Sequence, residues 1–360
     1  MCSIISSKLS NSIKNYFSII NQFAKYSSKK RYYSHGLKVA ILGANGKIGQ
    51  NVAMMLKQSS SVKEIALYDI TNTEGLCMEL NYIDTNTRVC SYTGHKTLKD
   101  ALNHSNIVVI VAGLARRDGM TRFDLFDHNA EIISEFSSCS ATVCPKAMLA
   151  IATNPVNSLV PVANEIYSKI NKSNTGENIF GVTTLDGIRA NTFVAEMLSE
   201  KPEKVFSPVI GGHSNNTIVP ILSQTKPTSK FSTSEIVRLT KAIQEAGDEV
   251  LKAKATGSAT LSAAYAVTKF TIALANGLAG QKGVVESAYV SSSVIPNVSY
   301  LSTLLELGPQ GIQKNLGLPQ MSDYECCLLE TAIPYLKRDI ILGEQYVEKE
   351  FKQTGKNKLF

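Results

Sequence analysis

Four short apolar runs, separated by segments of helical length, constrain most strongly what this chain of 360 residues can fold into. They are residues 38–42, 64–69, 106–112 and 148–153. Uninterrupted apolar strands are typical of parallel sheets, because helices cover both faces of such a sheet. Residues 47–56 predict the first covering helix. The amino-terminal half therefore predicts an α/β fold with a doubly wound parallel sheet, the Rossmann arrangement.

Beyond residue 157 the pattern changes to longer helices with a few short strands. Two S-x-x-E pairs, Ser232 with Glu235 and Ser322 with Glu325, have the spacing of capping boxes and predict the starts of two long helices. We therefore expect an α+β domain in the carboxyl-terminal half. No membrane insertion is expected, since asparagines and prolines interrupt the longest uncharged stretch, residues 147–164.

The amino-terminal segment has the composition of an organellar transit peptide. Residues 1–36 hold six Lys or Arg and nine Ser, and no acidic residue precedes Glu64. Arg31-Tyr32-Tyr33-Ser34 resembles a mitochondrial processing pattern, so we expect a leader at residues 1–33. Its removal lowers the formal net charge from +7 to +1, which argues against a nucleic-acid partner. The alternative is a disordered basic arm that binds polyanions.

The cysteines give no sign of a metal site. None of the seven cysteines forms a C-x-x-C pair, and five histidines show no zinc-ligand spacing. We expect reduced thiols, as in an organellar matrix, and no metal.

A glycine-rich turn follows the first apolar run and opens the first helix. Such a turn lets the backbone approach a pyrophosphate at the helix amino terminus. Asp69 ends the second run, where its carboxylate would accept hydrogen bonds from the adenosine ribose, and no nearby cation suits a 2′-phosphate. This context favours NAD over NADP. The alternative to dinucleotide binding is a turn whose glycines have a structural role only. The predicted contacts in this turn are Gly43, Ala44, Asn45, Gly46, Lys47, Ile48 and Gly49.

Two further motifs carry charged groups. Arg116, Arg117 and Arg122 lie in a glycine-flanked loop after the third apolar run. This pattern is typical of a lid that closes over an anionic substrate. The alternative is a solvent-exposed basic loop. Asp186 and Arg189 are three residues apart, hence neighbours on one helical face. His213 follows an apolar strand in a glycine-rich turn, where it suits a general base or a hydrogen-bonded turn residue.

Together these motifs resemble malate dehydrogenases of the mitochondrial and enterobacterial type, within the lactate/malate dehydrogenase superfamily. The resemblance runs from about residue 37 to about residue 349. The motifs that carry it are residues 43–49, Ala115-Arg116, Gly119-Met120, Arg122, Asp124-Leu125-Phe126, Asn129, residues 153–157, Leu185-Asp186, Arg189 and Gly211-Gly212-His213-Ser214.

The resemblance implies an NAD-dependent, reversible conversion of (S)-malate to oxaloacetate by a homodimer in the mitochondrial matrix. His213 would accept the hydroxyl proton and Asp186 would orient its imidazole. Arg189 would bind the C1 carboxylate. Arg116 would hold the distal carboxylate and Arg122 would polarise the C2 oxygen. Asn154 would touch substrate and cofactor, and the nicotinamide side would be completed by Asn129, Ala152 and Thr153.

The resemblance also implies a NAD-binding domain at residues 36–180 and a substrate domain at residues 181–355. The sequence departs from the family pattern at Asp118, Gly187, Asn215 and Ala263, where the family usually has Pro, a branched residue, Gly and Met. Two alternatives stay open. A lactate-type 2-hydroxy acid dehydrogenase is disfavoured by Arg116, and a non-catalytic NAD-binding interaction protein is disfavoured by the complete set of charged groups.

Overall fold

Six parallel strands form one half of an 11-stranded sheet in the computed structural model, which describes residues 36–114, 122–171, 176–254 and 259–354. Their spatial order, β3-β2-β1-β4-β5-β6, is the doubly wound order, so the predicted Rossmann sheet is confirmed. The four apolar runs are β1, β2, β4 and β5, whereas β3 and β6 were not predicted from the sequence. The strands are β1 (Leu37–Leu42), β2 (Val62–Asp69), β3 (Arg88–Thr93), β4 (Ile107–Ile110), β5 (Met148–Ile151) and β6 (Ile179–Val182).

Helices cover both faces of this parallel half. Ala40 and Leu42 of β1 pack into one apolar core, while Val39 and Ile41 pack into a second core on the opposite face. This alternation follows from the period of two along a strand, and it explains why the runs are apolar throughout. The helices of this half are α1 (Lys47–Lys57), α2 (Glu74–Asn81), α3 (Leu98–Leu102), α4 (Arg122–Val143) and α5 (Val156–Ile170).

The carboxyl-terminal half continues the same sheet with antiparallel strands, since β9 pairs with both β6 and β10. The expectation of only short strands here was wrong, because β9 and β10 have 12 and 11 residues. Serines and glutamates within both strands obscured their apolar pattern. The elements are α6 (Thr184–Leu198), β7 (Val209–Gly211), β8 (Ile218–Pro220), α7 (Thr233–Lys254), α8 (Leu261–Leu278), β9 (Val284–Ile295), β10 (Val298–Gly308), β11 (Gly311–Asn315) and α9 (Asp323–Thr354).

Both predicted capping boxes are present, at the starts of α7 and α9. Glu235 accepts the Ser232 backbone N–H at 2.7 Å, and Glu325 accepts that of Ser322 at 2.8 Å. Each serine hydroxyl accepts the backbone N–H of its glutamate at 3.4 Å. These reciprocal bonds satisfy amide groups that a helix start would leave without partners.

Within the described ranges, no helix is long and apolar enough to cross a membrane, and no three acidic, histidine or cysteine side chains cluster as metal ligands. The six cysteines in these ranges are free thiols. Burial raises the pKa of Cys144 to about 12, which keeps this thiol protonated and unreactive.

Candidate active site

The glycine-rich turn brings the amino terminus of α1 against the carboxyl end of β1. The backbone N–H groups of Gly43 and Ala44 donate to Tyr68 O at 2.9 and 3.0 Å, which ties the turn to β2. Gly43 has φ +93°, and a Cβ there would lie 2.5 Å from Ala112. A Cβ on Gly49 would collide with the Gly43 carbonyl. Only glycine fits both positions, so the backbone of the turn packs closely against the amino terminus of α1, the place where a pyrophosphate binds in such a turn.

Asp69 lies at the end of β2 beside this turn. Its Oδ2 accepts the Asn45 backbone N–H at 3.0 Å, and its Oδ1 accepts the Thr71 backbone N–H at 3.1 Å and the Thr71 hydroxyl at 2.9 Å. A carboxylate has about four acceptor positions, so Asp69 keeps capacity for a ribose hydroxyl. The turn and Asp69 therefore fit a dinucleotide.

Asn129 joins the loops that follow β4 and β5. Its Oδ1 accepts the Leu114 backbone N–H at 2.7 Å, and its Nδ2 donates to Asn154 O at 2.7 Å. Thr153 Oγ1 donates to Ala112 O at 2.6 Å and draws the two loops together. Asn129 is only 1% exposed, so these contacts give it a supporting position behind the loops, whereas the Asn154 side chain is exposed.

Asp186 and His213 form the centre of the candidate site. His213 Nδ1 lies 2.6 Å from Asp186 Oδ2. Because a carboxylate only accepts, Nδ1 carries the proton and Nε2 keeps a lone pair. The Asp186 side chain is 1% exposed and that of His213 is 13% exposed. A buried carboxylate at this distance stabilises the imidazolium that forms when Nε2 takes up a proton.

Arg189 lies one helical turn beyond Asp186, as the spacing predicted, with Nη1 at 3.8 Å from Asp186 Oδ1. Its side chain is 14% exposed. Burial lowers the pKa of Arg189, and the charges of Asp186 and Asp248 oppose this shift. An arginine stays protonated in proteins, so Arg189 presents a fixed cation for a carboxylate.

A cleft of about 880 Å³ brings predicted residues from both halves of the chain together. This volume is in the range of small-molecule and cofactor sites. Arg116, Arg117 and Asp118 lie outside the described residues, and Arg122 begins α4 without a described side chain. The predicted residues that line the cleft are Ile48, Ala152, Thr153, Asn154, Asp186, Arg189 and His213.

Further polar residues that were not predicted as site residues also line the cleft, among them Asn157, Asp248 and Asp339. Asn157 accepts the His213 backbone N–H at 2.8 Å and donates to Asp339 Oδ2 at 3.2 Å. Asp248 accepts Asn215 Nδ2 at 2.9 Å. Asn157 is the last residue of the 153–157 motif named above, which could have marked it, but Asp248 and Asp339 lie on long helices with no local signal.

The glycine-rich turn for a dinucleotide, together with a carboxylate-bound histidine and a buried arginine, defines a nicotinamide-dependent dehydrogenase. The lactate/malate dehydrogenase NAD-binding domain model matches residues 37–181, and the alpha/beta C-terminal domain model of the same family matches residues 183–347. The chain therefore belongs to the lactate/malate dehydrogenase family. The predicted cofactor, NAD, is confirmed by the first of these matches.

Known relatives agree with this assignment. The chain is 46% identical over 319 residues to "Malate dehydrogenase, mitochondrial" of Caenorhabditis elegans, covering 88% of this chain and 93% of that protein. The Homo sapiens protein of the same name is 46% identical over 312 residues, covering 86% and 92%. The predicted resemblance is confirmed by these matches.

Solved structures share the fold. The malate dehydrogenase of Cryptosporidium parvum superposes with a TM-score of 0.75 at 23% identity, covering 86% of this chain and all of that one. The lactate dehydrogenase of the same organism, complexed with lactic acid and nicotinamide adenine dinucleotide, has a TM-score of 0.74 at 22% identity, covering 86% and 98%. At these identities the likeness concerns the fold alone.

Proposed function

We propose that this chain is an NAD-dependent malate dehydrogenase, which interconverts (S)-malate and oxaloacetate. The observation that carries the proposal is the 2.6 Å contact between Asp186 and His213 in a cleft that Arg189 shares with the loops after β4 and β5. Relatives at 46% identity that are named malate dehydrogenase support the choice of substrate.

His213 acts as general base toward malate and as general acid toward oxaloacetate. Nε2 accepts the C2 hydroxyl proton, while the buried carboxylate of Asp186 holds Nδ1–H and balances the cation. Bound NAD would supply the acceptor for the hydride that leaves C2. Arg189 binds the C1 carboxylate through two parallel hydrogen bonds, as a buried guanidinium is suited to do.

The other end of the substrate is assigned to the arginine loop. Arg116 pairs with the distal carboxylate, Arg122 polarises the C2 oxygen, and the exposed amide of Asn154 touches both substrate and cofactor. A four-carbon dianion with a reactive oxygen requires such a set of cations and donors around one base. The loop after β4 determines the preference for a substrate with a second carboxylate, since a lactate-type enzyme has a neutral residue in place of Arg116.

The residues assigned to NAD fit the group. The turn at residues 43–49 receives the pyrophosphate, Asp69 receives the ribose, and Ala152, Thr153 and Asn154 face the nicotinamide side of the cleft. Asn129 is included with them as a predicted contact, and its bonds to Leu114 and Asn154 support the same loops. These residues belong to a proposed NAD-binding domain at 36–180, and the base belongs to a proposed substrate domain at 181–355.

We place the mature protein in the mitochondrial matrix as a homodimer. The acid-free leader at residues 1–33 and the mitochondrial names of the relatives support this location. Amino-terminal sequencing of the organellar protein is expected to start at Ser34, and a mature start at Met1 would overturn the proposed leader. Light scattering of the purified protein measures the mass that distinguishes a dimer from a monomer.

Absorbance at 340 nm tests the reaction. Oxaloacetate with NADH is expected to turn over, and pyruvate with NADH is expected to turn over far more slowly. Faster turnover of pyruvate would identify the lactate-type alternative. If NADH binds but neither substrate reacts, the chain is the NAD-binding interaction protein that was the second alternative.

A further inference from the structure

Helix α7 passes close to the proposed C1-carboxylate site at Gly247 and Asp248. A Cβ on Gly247 would lie 3.7 Å from both terminal nitrogens of Arg189, so the helix backbone approaches the guanidinium closely. Asp248, the next residue, lines the same cleft as Arg189 and His213. Asp248 therefore adds a further carboxylate to the cleft, although the reaction as proposed gives it no role.

The Asp248 carboxylate is held by Asn215. Asn215 Nδ2 donates to Asp248 Oδ2 at 2.9 Å, which links the His213 turn to α7 across 33 residues of sequence. Asn215 has φ +29°, in the left-handed region that asparagine tolerates better than most residues. The structure thus uses an asparagine where the family resemblance leads us to expect glycine.

Asp248 is near Arg189 without pairing with it. No ion pair within 4 Å joins these two described side chains, whereas Arg189 does come within 4 Å of Asp186. The charge of Asp248 nevertheless favours the protonated form of Arg189. Asp248 and Arg189 therefore interact electrostatically, while one carboxylate oxygen of Asp248 accepts a hydrogen bond from the Asn215 amide.

We propose that Asp248 sets the affinity of the cleft for carboxylate substrates and that Asn215 holds the Asp248 carboxylate away from Arg189. The proposal rests on the function proposed above, since it takes Arg189 as the ligand of the C1 carboxylate. Asp248 repels a substrate carboxylate that approaches Arg189. Without Asn215, Asp248 would pair with Arg189 and compete directly with the substrate. This competition would weaken substrate binding more than the repulsion does.

Two single variants separate the charge from the hydrogen bond. Asp248→Asn removes the charge but keeps an oxygen that can accept the Asn215 amide. It is expected to lower the KM for oxaloacetate roughly three- to tenfold, as one charge several ångströms away does in a medium of intermediate dielectric constant. Asn215→Gly keeps a residue that tolerates φ +29° but frees Asp248, so it is expected to raise KM by about threefold or more.

The double variant Asn215→Gly/Asp248→Asn is decisive. If Asn215 acts by holding the charge of Asp248, its loss has no effect on KM once that charge is gone. The double variant is then expected to match Asp248→Asn within about twofold, the usual limit of additivity. A role in folding alone would raise KM equally in both backgrounds.

Glu249→Gln is the matched control, because it removes the same charge from the next residue of α7. Glu249 is exposed, pairs with Lys252 at 2.7 Å and does not line the cleft. It is expected to leave KM unchanged. Equal KM values for Asp248→Asn and Glu249→Gln would overturn the proposal even if Asn215→Gly failed to fold. A wild-type protein inactive toward oxaloacetate would instead overturn the proposed function, so the two failures are distinguishable.

Discussion

The side-chain oxygen of Asn157 accepts the backbone N–H of His213 at 2.8 Å, so the proposed base is held through its main chain as well as through Asp186. Asn157 is buried, and its amide nitrogen lies 3.0–3.2 Å from three acceptors, Ser214 Oγ, Thr217 Oγ1 and Asp339 Oδ2, which share its two N–H groups. One asparagine at the start of α5 thereby fixes the turn after β7 against the long helix α9.

Replacing Asn157 with Ala is expected to lower kcat roughly 10- to 100-fold, the cost of misplacing a catalytic group by about 1 Å. It also leaves buried partners without hydrogen bonds, at about 1–3 kcal/mol each. Steady-state kinetics and thermal unfolding measure the two effects. Asn191→Ala is the control, because Asn191 likewise accepts a backbone N–H, that of Ser207 at 2.8 Å, without lining the cleft. Equal kcat values for the two variants would show that Asn157 does not position His213.

His213→Asn is expected to lower kcat by roughly 10²–10⁴, the usual contribution of general acid–base catalysis. Asparagine cannot take up the proton, although it can still bond to Asp186. NADH binding, followed by fluorescence, is expected to survive because the glycine turn and Asp69 follow β1 and β2, whereas His213 follows β7. An active variant would refute the assignment of the base.

The position of Asp69 predicts the choice of cofactor. A 2′-phosphate at the ribose would meet this carboxylate, and like charges in contact repel. We expect NADH to exceed NADPH in kcat/KM by at least ~100-fold, or about 2.7 kcal/mol at about 1.36 kcal/mol per tenfold. Asp69→Ser is expected to reduce this ratio mainly by improving NADPH. Equal use of both cofactors by the wild type would place Asp69 away from the ribose.

Arg116→Gln tests substrate specificity. Truncating one partner of a buried charge pair costs about 2–5 kcal/mol, roughly 30-fold to a few thousand-fold in kcat/KM for oxaloacetate. The same change is expected to relieve a penalty for pyruvate, whose methyl group cannot pair with a guanidinium. Arg117→Gln is the control from the adjacent position. A larger change in the substrate ratio for Arg117→Gln would show that the neighbouring arginine binds the distal carboxylate.

Gly187 lies inside α6, between Asp186 and Arg189, where a Cβ would have no neighbour within 4 Å. Gly187→Ala is expected to stabilise the protein by about 0.4–1 kcal/mol, because alanine has less freedom to lose on folding. Gly75→Ala in α2 is the matched control, with equally open space at a residue that does not line the cleft. Chemical denaturation measures both. A destabilised Gly187→Ala variant would show that the site depends on the freedom of this glycine.

The sequence by itself determined the features that local patterns encode. Strands covered on both faces must be apolar throughout, so β1, β2, β4 and β5 were visible as runs. The glycine turn was recognisable because a close backbone approach at Gly43 and Gly49 excludes any side chain. The contact of Asp186 with Arg189 followed from helical geometry, since residues three apart share a face.

Only the tertiary structure decided which distant side chains meet. Asp186 and His213 are 27 residues apart, and Asn157 and Asp339 are 182 residues apart. No periodicity connects such pairs, because their distances depend on how β7, α5 and α9 pack around the sheet. The strands β9 and β10 were not predicted for a related reason. Their serines and glutamates are accommodated because each strand pairs with neighbouring strands, and these partners lie outside the segment of sequence that forms the strand.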